Sequence, residues 1–309
     1  MTHWTASEIP DQSGRTAVVT GANSGLGFIT ARELARHGAR VVMTARDPAR
    51  GADALRRLRD AVPDADVELR ALDLADLASI RGFAAELVAS YPVLDLLINN
   101  AGVMAIPRRE TVDGFEMQFG TNHLGHFALT GLLLPTIVDV QGARIVTVSS
   151  NAHKTGRIRF DDLQREQSYS RWPTYSQSKL ANLLFAYELQ RRLSAIDAPA
   201  ISLAAHPGTA STNLVAPGAE GNRLKERVMR VGVRIIGQSD EQGALPQLYA
   251  ATAPDVHGGE YYGPSGFGES RGYPKRVTST STSRDPELAA RLWSISQDLT
   301  GVRYDALRA

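Results

Sequence analysis

No cysteine occurs among the 309 residues of the chain. That absence removes disulfides, thiolate catalysis and cysteine-based zinc sites in one step, and leaves the compartment unspecified. Nor is there a charge excess: 34 Lys and Arg stand against 33 Asp and Glu, for a formal net charge of +1. Nothing global therefore steers the chain to nucleic acid or an anionic membrane. No run approaches the ~18 apolar residues of a membrane span. The opening "MTHWTASEIPDQSG" lacks a charged stretch followed by an apolar one, so no export signal is read and a cytoplasmic location is the default expectation. Low-complexity linkers and short fixed repeats are also missing, so residues 1–309 read as one domain preceded by an arm over 1–13.

What is present is 43% hydrophobic and 22% charged, enough for a sizeable core. Seven β-rich runs, "RTAVVT", "ARVVMTA", "DVELRAL", "LDLLINN", "ARIVTVSS", "AISLAAH" and "GEYYG", alternate with amphipathic or Ala/Leu-rich segments. The alternation predicts βαβ units: an α/β fold with a doubly wound, seven-stranded parallel sheet and helices on both faces. Residues 213–240 fall outside the alternation.

Between the first strand run and the first helix lies "TGANSGLG", Thr20 to Gly27. Gly21 permits a tight turn, Gly25 lets backbone approach a pyrophosphate, and Gly27 allows close helix–strand packing beneath helix N–H groups that face phosphate. A glycine triplet alone is equally a turn device; its place between strand and helix is what makes it a nucleotide cradle. Farther on, "YSQSKLANLLF" sets Tyr175 and Lys179 one helical turn apart, on one face of a helix whose remaining surface is apolar. By itself such a pair is a packed tyrosine with a lysine snorkelling past it.

Together these motifs resemble the short-chain dehydrogenase/reductase family. "TGANSGLG" matches its cofactor loop, "NNAG" (Asn99 to Gly102) its motif after the fourth strand, and "YSQSK" its active-site Y-x-x-x-K; "NHLGHF", "RIVTVSS" and "HPGTAST" follow in the family's order. The long connection between Ser150 and Tyr175 is most similar to the retinol-dehydrogenase-like branch. The resemblance implies a Rossmann fold and cofactor contacts from Gly21, Asn23, Ser24, Gly25, Leu26 and Gly27. It adds Asn100, Ala101 and Gly102, an adenine-contacting pair in Asp73 and Leu74, and Pro207, Gly208 and Thr212 over the nicotinamide. It also implies catalytic roles for Asn122, Ser150, Tyr175 and Lys179, a substrate lid over 213–240, and a homodimer, although the tail after Gly263 leaves room for a monomer. Asp73 reads equally as a helix cap, and Pro207–Gly208 as a turn.

Moving a hydride between a carbinol and a nicotinamide also moves a proton on or off oxygen. A tyrosine with pKa about 10 needs roughly 4 kcal/mol of phenolate stabilisation to act near neutrality, and Lys179 with the oxidised nicotinamide's charge would provide it. Ser150 would hold the substrate oxygen, leaving Ser149 structural, and Asn122, by resemblance, a water linking Lys179 to solvent. After the second strand no acidic residue awaits a ribose 2′-hydroxyl: Ala45 stands there, followed by Arg46, whose guanidinium suits a 2′-phosphate and predicts NADP(H) over NAD(H). Asp47 either pairs with Arg46 or caps the next helix. His123, His126 and His153 match no zinc signature, and Ser150 lacks a G-x-S-x-G elbow. The expected activity is interconversion of an alcohol and its ketone or aldehyde, on a small or lipophilic substrate. The alternative is a nucleotide-binding redox sensor or scaffold without turnover. An epimerase or dehydratase of the extended group expects a different glycine spacing.

Overall fold

The computed structural model describes residues 3–208 and 238–307. Its strands are β1 (Thr16–Val19), β2 (Arg40–Ala45), β3 (Val67–Ala71), β4 (Leu96–Asn99), β5 (Arg144–Val148), β6 (Ile201–Ala205), β7 (Tyr261–Pro264) and β8 (Pro274–Arg276). They form one sheet in the order β3-β2-β1-β4-β5-β6-β7-β8. The seven parallel strands coincide with the seven expected runs. The sheet nevertheless has eight strands rather than seven: β8 pairs antiparallel with β7, Gly263 opposite Lys275 and Pro264 opposite Pro274. A three-residue strand opening on proline is tolerated only at an edge, where the missing N–H faces outward, and it shows no apolar alternation to read.

Because helices cover both faces, the inner strands are mostly apolar, and every residue of β1 and β4 is buried. Pleating still sorts them. Ala17 and Val19 point with Val41, Met43, Leu96 and Ile98 to one core layer, whereas Val18, Val42, Leu97 and Ile145 point to the other. The first layer packs under α1 (Gly25–Arg36), α2 (Pro48–Ala61) and α7 (Asp240–Thr252); the second packs under α3 (Leu77–Ser90), α5 (Gly125–Leu133) and α6 (Arg171–Ala195). Helix α8 (Pro286–Thr300) lies against α6. No helix among the described residues is long and apolar enough to cross a membrane.

Chain order reverses beside β1, which pairs with β2 on one side and β4 on the other. In an open α/β sheet the crevice beyond the carboxyl ends of such a pair is where ligands sit. The loops after β1, β4 and β5 all open there. Of the expected lid, residues 213–237 lie outside the described residues, as does Thr212; Ser239 caps α7, accepting the Gln242 N–H at 3.3 Å.

Candidate active site

The loop after β1 is built around positions where a side chain would not fit. Gly21 has φ +65°, and a Cβ on it would stand 2.9 Å from the Ala101 Cβ; one on Gly27 would stand 2.5 Å from both Asn100 Nδ2 and the Gly21 carbonyl. The loop and the "NNAG" turn therefore interlock. Thr20 joins them: its Oγ1 receives the N–H groups of Asn100 and Ala101, both at 2.9 Å, while Asn100 Nδ2 donates to the Thr20 carbonyl at 2.8 Å. Asn99, one residue earlier, is buried and donates to Thr130 Oγ1 at 3.0 Å, a purely structural bond. Ser24 is exposed at the head of α1, with Asn23 and Leu26 half-buried beside it, so backbone N–H groups and glycine faces line the surface that a pyrophosphate needs.

Across the crevice, α6 delivers Tyr175 and Lys179 from its buried face. Lys179 Nζ lies 5.8 Å from the centroid of the Tyr175 ring and donates to the Val148 carbonyl at 3.1 Å. Burial pulls the ammonium down to about 8 and pushes the phenol up to about 12, the latter opposed by a hydrogen bond with the Ser150 hydroxyl. The polypeptide's own groups thus keep the phenol protonated, and any fall toward neutrality requires further positive charge. Ser150 lies two residues beyond β5 and caps a 3₁₀ turn, its Oγ accepting the Ala152 N–H at 3.2 Å. Its neighbour Ser149 is turned inward, donating to the Lys179 carbonyl at 2.8 Å.

Asn122 sits in a π-helical segment, Gly120–Leu124, between α4 (Met117–Phe119) and α5. Its amide is fully engaged: Oδ1 accepts the Val103 N–H at 2.8 Å, and Nδ2 donates to the Val103 carbonyl and Ser178 Oγ, each at 2.9 Å. A Cβ on Gly102 would lie 3.0 Å from Asn122 Oδ1 and 3.6 Å from Lys179 Nζ, so glycine there lets the two groups share one corner.

Beyond the carboxyl end of β2, Asp47 is a helix cap: its Oδ1 accepts the N–H groups of Ala49 and Arg50 at 2.9 and 3.1 Å, with Pro48 in the first helical turn. Arg46 is exposed and makes no hydrogen bond or ion pair among the described residues. Asp73 braces its own turn through the Ala75 N–H at 2.9 Å, while Asp76 caps α3; Leu74 is buried in the core. Pro207 and Gly208 follow β6, Gly208 at φ +69° and pressed against the Ser270 carbonyl.

Three contributors make contacts that the motifs do not give. Gln247 of α7 hydrogen-bonds Thr30 and reaches Asn100 Oδ1 at 3.4 Å. His206 faces Glu269 at 3.2 Å. His126 lies between Thr20 and Asn122, at 2.9 and 3.0 Å. His126 and His206 had a signal, their places in "NHLGHF" and "HPGTAST", whereas Gln247 had none. His123 points elsewhere, to Ser296 Oγ at 2.9 Å.

Residues 15–222 match the sequence profile of the short chain dehydrogenase family. The chain belongs to that family. Retinol dehydrogenase 14 of Mus musculus is 42% identical over 301 residues, spanning 94% of this chain and 86% of the relative. Polyprenol dehydrogenase of the same species is 42% identical over 303 residues, 95% and 86% of the two chains. These relatives place this short-chain dehydrogenase in the retinol-dehydrogenase-like branch. An uncharacterized protein from Mycobacterium paratuberculosis superposes with a TM-score of 0.80 at 46% identity, covering 98% of this chain and 99% of the other. The dehydrogenase is therefore an oxidoreductase of a family that binds nicotinamide dinucleotides, and its glycine-lined cradle, which a Cβ would fill at Gly21 or Gly27, fits such a group.

Proposed function

We propose that this dehydrogenase interconverts a primary or secondary alcohol and its aldehyde or ketone with NADP(H), on a small or lipophilic substrate. The observation that carries the reading is the grouping of buried Tyr175 and Lys179 with half-buried Ser150 beyond the carboxyl end of β5, with the serine hydroxyl on the phenol. The nicotinamide supplies or takes up the hydride when bound. Tyr175 holds the proton at its phenolic oxygen and passes it to the carbonyl oxygen in the reducing direction. Ser150 Oγ orients that oxygen, and the Lys179 ammonium, on the same face one turn away, favours the phenolate left behind. Arg46, free of Asp47, supports a preference for the 2′-phosphate; a relative in structure, Pseudomonas aeruginosa RhlG, is an NADP complex, with TM-score 0.62 and 25% identity over 81% of this chain and 94% of that one. Relatives called retinol and polyprenol dehydrogenases support an apolar alcohol. A homodimer and a cytoplasmic location belong to the same reading.

The test is a panel of aldehydes, ketones and retinoids with each nicotinamide nucleotide, followed by cofactor absorbance. Tyr175→Phe is expected to bind nucleotide as the wild type does while losing turnover by at least about 100-fold. A folded Phe variant that still reduces carbonyls at a substantial rate would sink this mechanism. A wild type that binds nucleotide and turns over nothing would favour a redox sensor.

A further inference from the structure

Thr20 lies in the loop after β1 and Asn122 in the π-helical segment, 102 positions apart in sequence, yet one imidazole touches both. His126 Nδ1 is 3.0 Å from the Asn122 carbonyl, and His126 Nε2 is 2.9 Å from Thr20 Oγ1. The ring is buried, with 1% of its surface exposed.

Proton counting settles which atom donates to which. A carbonyl oxygen only accepts, so the nitrogen facing Asn122 carries the hydrogen. Burial, ahead of the opposing Asn122 bond and reinforced by the Lys179 charge, pulls the ring down to about 4. It is thus neutral near pH 7 and has one N–H, on Nδ1. Nε2 is then a lone pair, and the Thr20 hydroxyl must donate to it. That leaves both lone pairs of Thr20 Oγ1 for the N–H groups of Asn100 and Ala101, the two donors that reach it. The Ile98 carbonyl, at 3.2 Å the other acceptor in reach of the hydroxyl, already receives the Thr20 and Asn100 N–H groups. A single directed chain results, from the "NNAG" backbone through Thr20 and His126 to the Asn122 carbonyl.

The two ends of that chain border different parts of the site. Thr20 precedes Gly21 and fixes the glycine loop against the turn of Asn100 and Ala101. Asn122 shares the Gly102 corner with Lys179, and its side-chain amide is fully engaged, so its carbonyl is the part of the residue through which another group can set its position.

We propose that His126, held as the Nδ1–H tautomer, is a positioning residue that locks the nucleotide-cradling loop and the Asn122 segment beside Lys179 into one register. The proposal rests on the nicotinamide-dependent reading above. It separates two functions of one ring, and amide side chains can imitate them singly. Asparagine places an N–H near the Nδ1 position and keeps the bond to Asn122; glutamine places an oxygen near Nε2 and keeps the acceptor for Thr20.

The experiment uses the full chain. In ¹⁵N-histidine spectra of the wild type, His126 should show a protonated Nδ1 and an unprotonated Nε2, unchanged from pH 8 to pH 5.5. His126→Asn should weaken NADPH binding, measured by titration without substrate, by about tenfold, with kcat at saturating nucleotide within about threefold of wild type. His126→Gln should leave NADPH affinity within about threefold and lower kcat by about tenfold. An Nε2–H tautomer, or two variants altered only in melting temperature, would overturn the assignment while leaving the functional reading intact. A wild type that binds no nicotinamide nucleotide would overturn both.

Discussion

Glu269 Oε2 lies 3.2 Å from Nε2 of His206, and the opposite nitrogen of that ring accepts the Gly208 N–H at 3.2 Å. The His206 proton therefore sits on Nε2, facing the carboxylate. The same oxygen is 3.1 Å from Lys154 Nζ, and Asn151 Nδ2 reaches the Gly268 and Glu269 carbonyls at 3.3 and 3.2 Å. One loop thus pins the segment after Ser150 to the segment carrying Pro207 and Gly208. The His206 hydrogen bond, with Lys154 assisting and burial opposing, pulls the carboxyl down to about 2. Glu269 accepts a left-handed backbone, φ +55°, to make these contacts.

Replacing Glu269 by Ala is expected to destabilise the protein by about 1–3 kcal/mol, because His206 Nε2 loses the carboxylate that faces it and Lys154 its partner at the partly exposed rim. Glu269→Gln keeps an acceptor but no charge, so its loss should be smaller. Thermal unfolding at pH 7 reads the order directly. A Glu269→Ala melting temperature equal to that of the wild type would show that the clasp contributes nothing.

Arg46 offers a prediction about nucleotide choice. Since Asp47 spends its carboxylate on the N–H groups of Ala49 and Arg50, the guanidinium is available to a 2′-phosphate. Arg46→Ala should weaken NADPH by about 10–100-fold, the range of a charge-assisted hydrogen bond, and NADH by less than about threefold. Fluorescence titration with both nucleotides checks it, and equal losses would mean that Arg46 does not read the phosphate.

The contrast between Arg46 and His126 shows what the amino-acid order makes legible. The glycine loop, the strand before it and the Tyr175–Lys179 turn are local patterns whose geometry follows from chain spacing, and all seven parallel strands announce themselves as β-rich runs. Whether Asp47 pairs or caps is also local, yet both outcomes suit the same four residues, and only the backbone at the start of α2 decides. His126 depends on Thr20, 106 positions away, a contact created by the sheet order rather than by any motif. Edge strand β8 escapes for a different reason: "PKR" has no buried face to impose a period. The burial that drives Tyr175 up rather than down is likewise a property of packing.

Acid stability follows from histidines that these contacts bury. Burial holds His123 at about 3 and His126 and His153 at about 4, against about 6.5 in an unfolded chain. As pH falls through about 6.5 the unfolded chain takes up three protons that the native protein refuses until about pH 4, so stability is lost on acidification. Each ring contributes about 1.4 kcal/mol per pH unit, about 4 for the three, once the unfolded rings are fully charged near pH 5. His123 isolates one share. The Ser296 hydroxyl donates to the Leu292 carbonyl at 2.8 Å, so His123 must donate to Ser296 through Nε2, leaving Nδ1 buried without a partner. Its surroundings are Phe119, Phe127 and Phe185, with ring centroids 5.2, 6.1 and 6.3 Å away. His123→Phe removes that stranded lone pair and suits the aromatic cluster, so its stability at pH 7 should lie within about 1 kcal/mol of wild type. Between pH 6 and pH 4.5 its loss of stability should be shallower by about 1.4 kcal/mol per pH unit. Urea denaturation at half-unit pH steps measures both slopes. Parallel slopes for the two proteins would show that His123 is not held neutral in the native state.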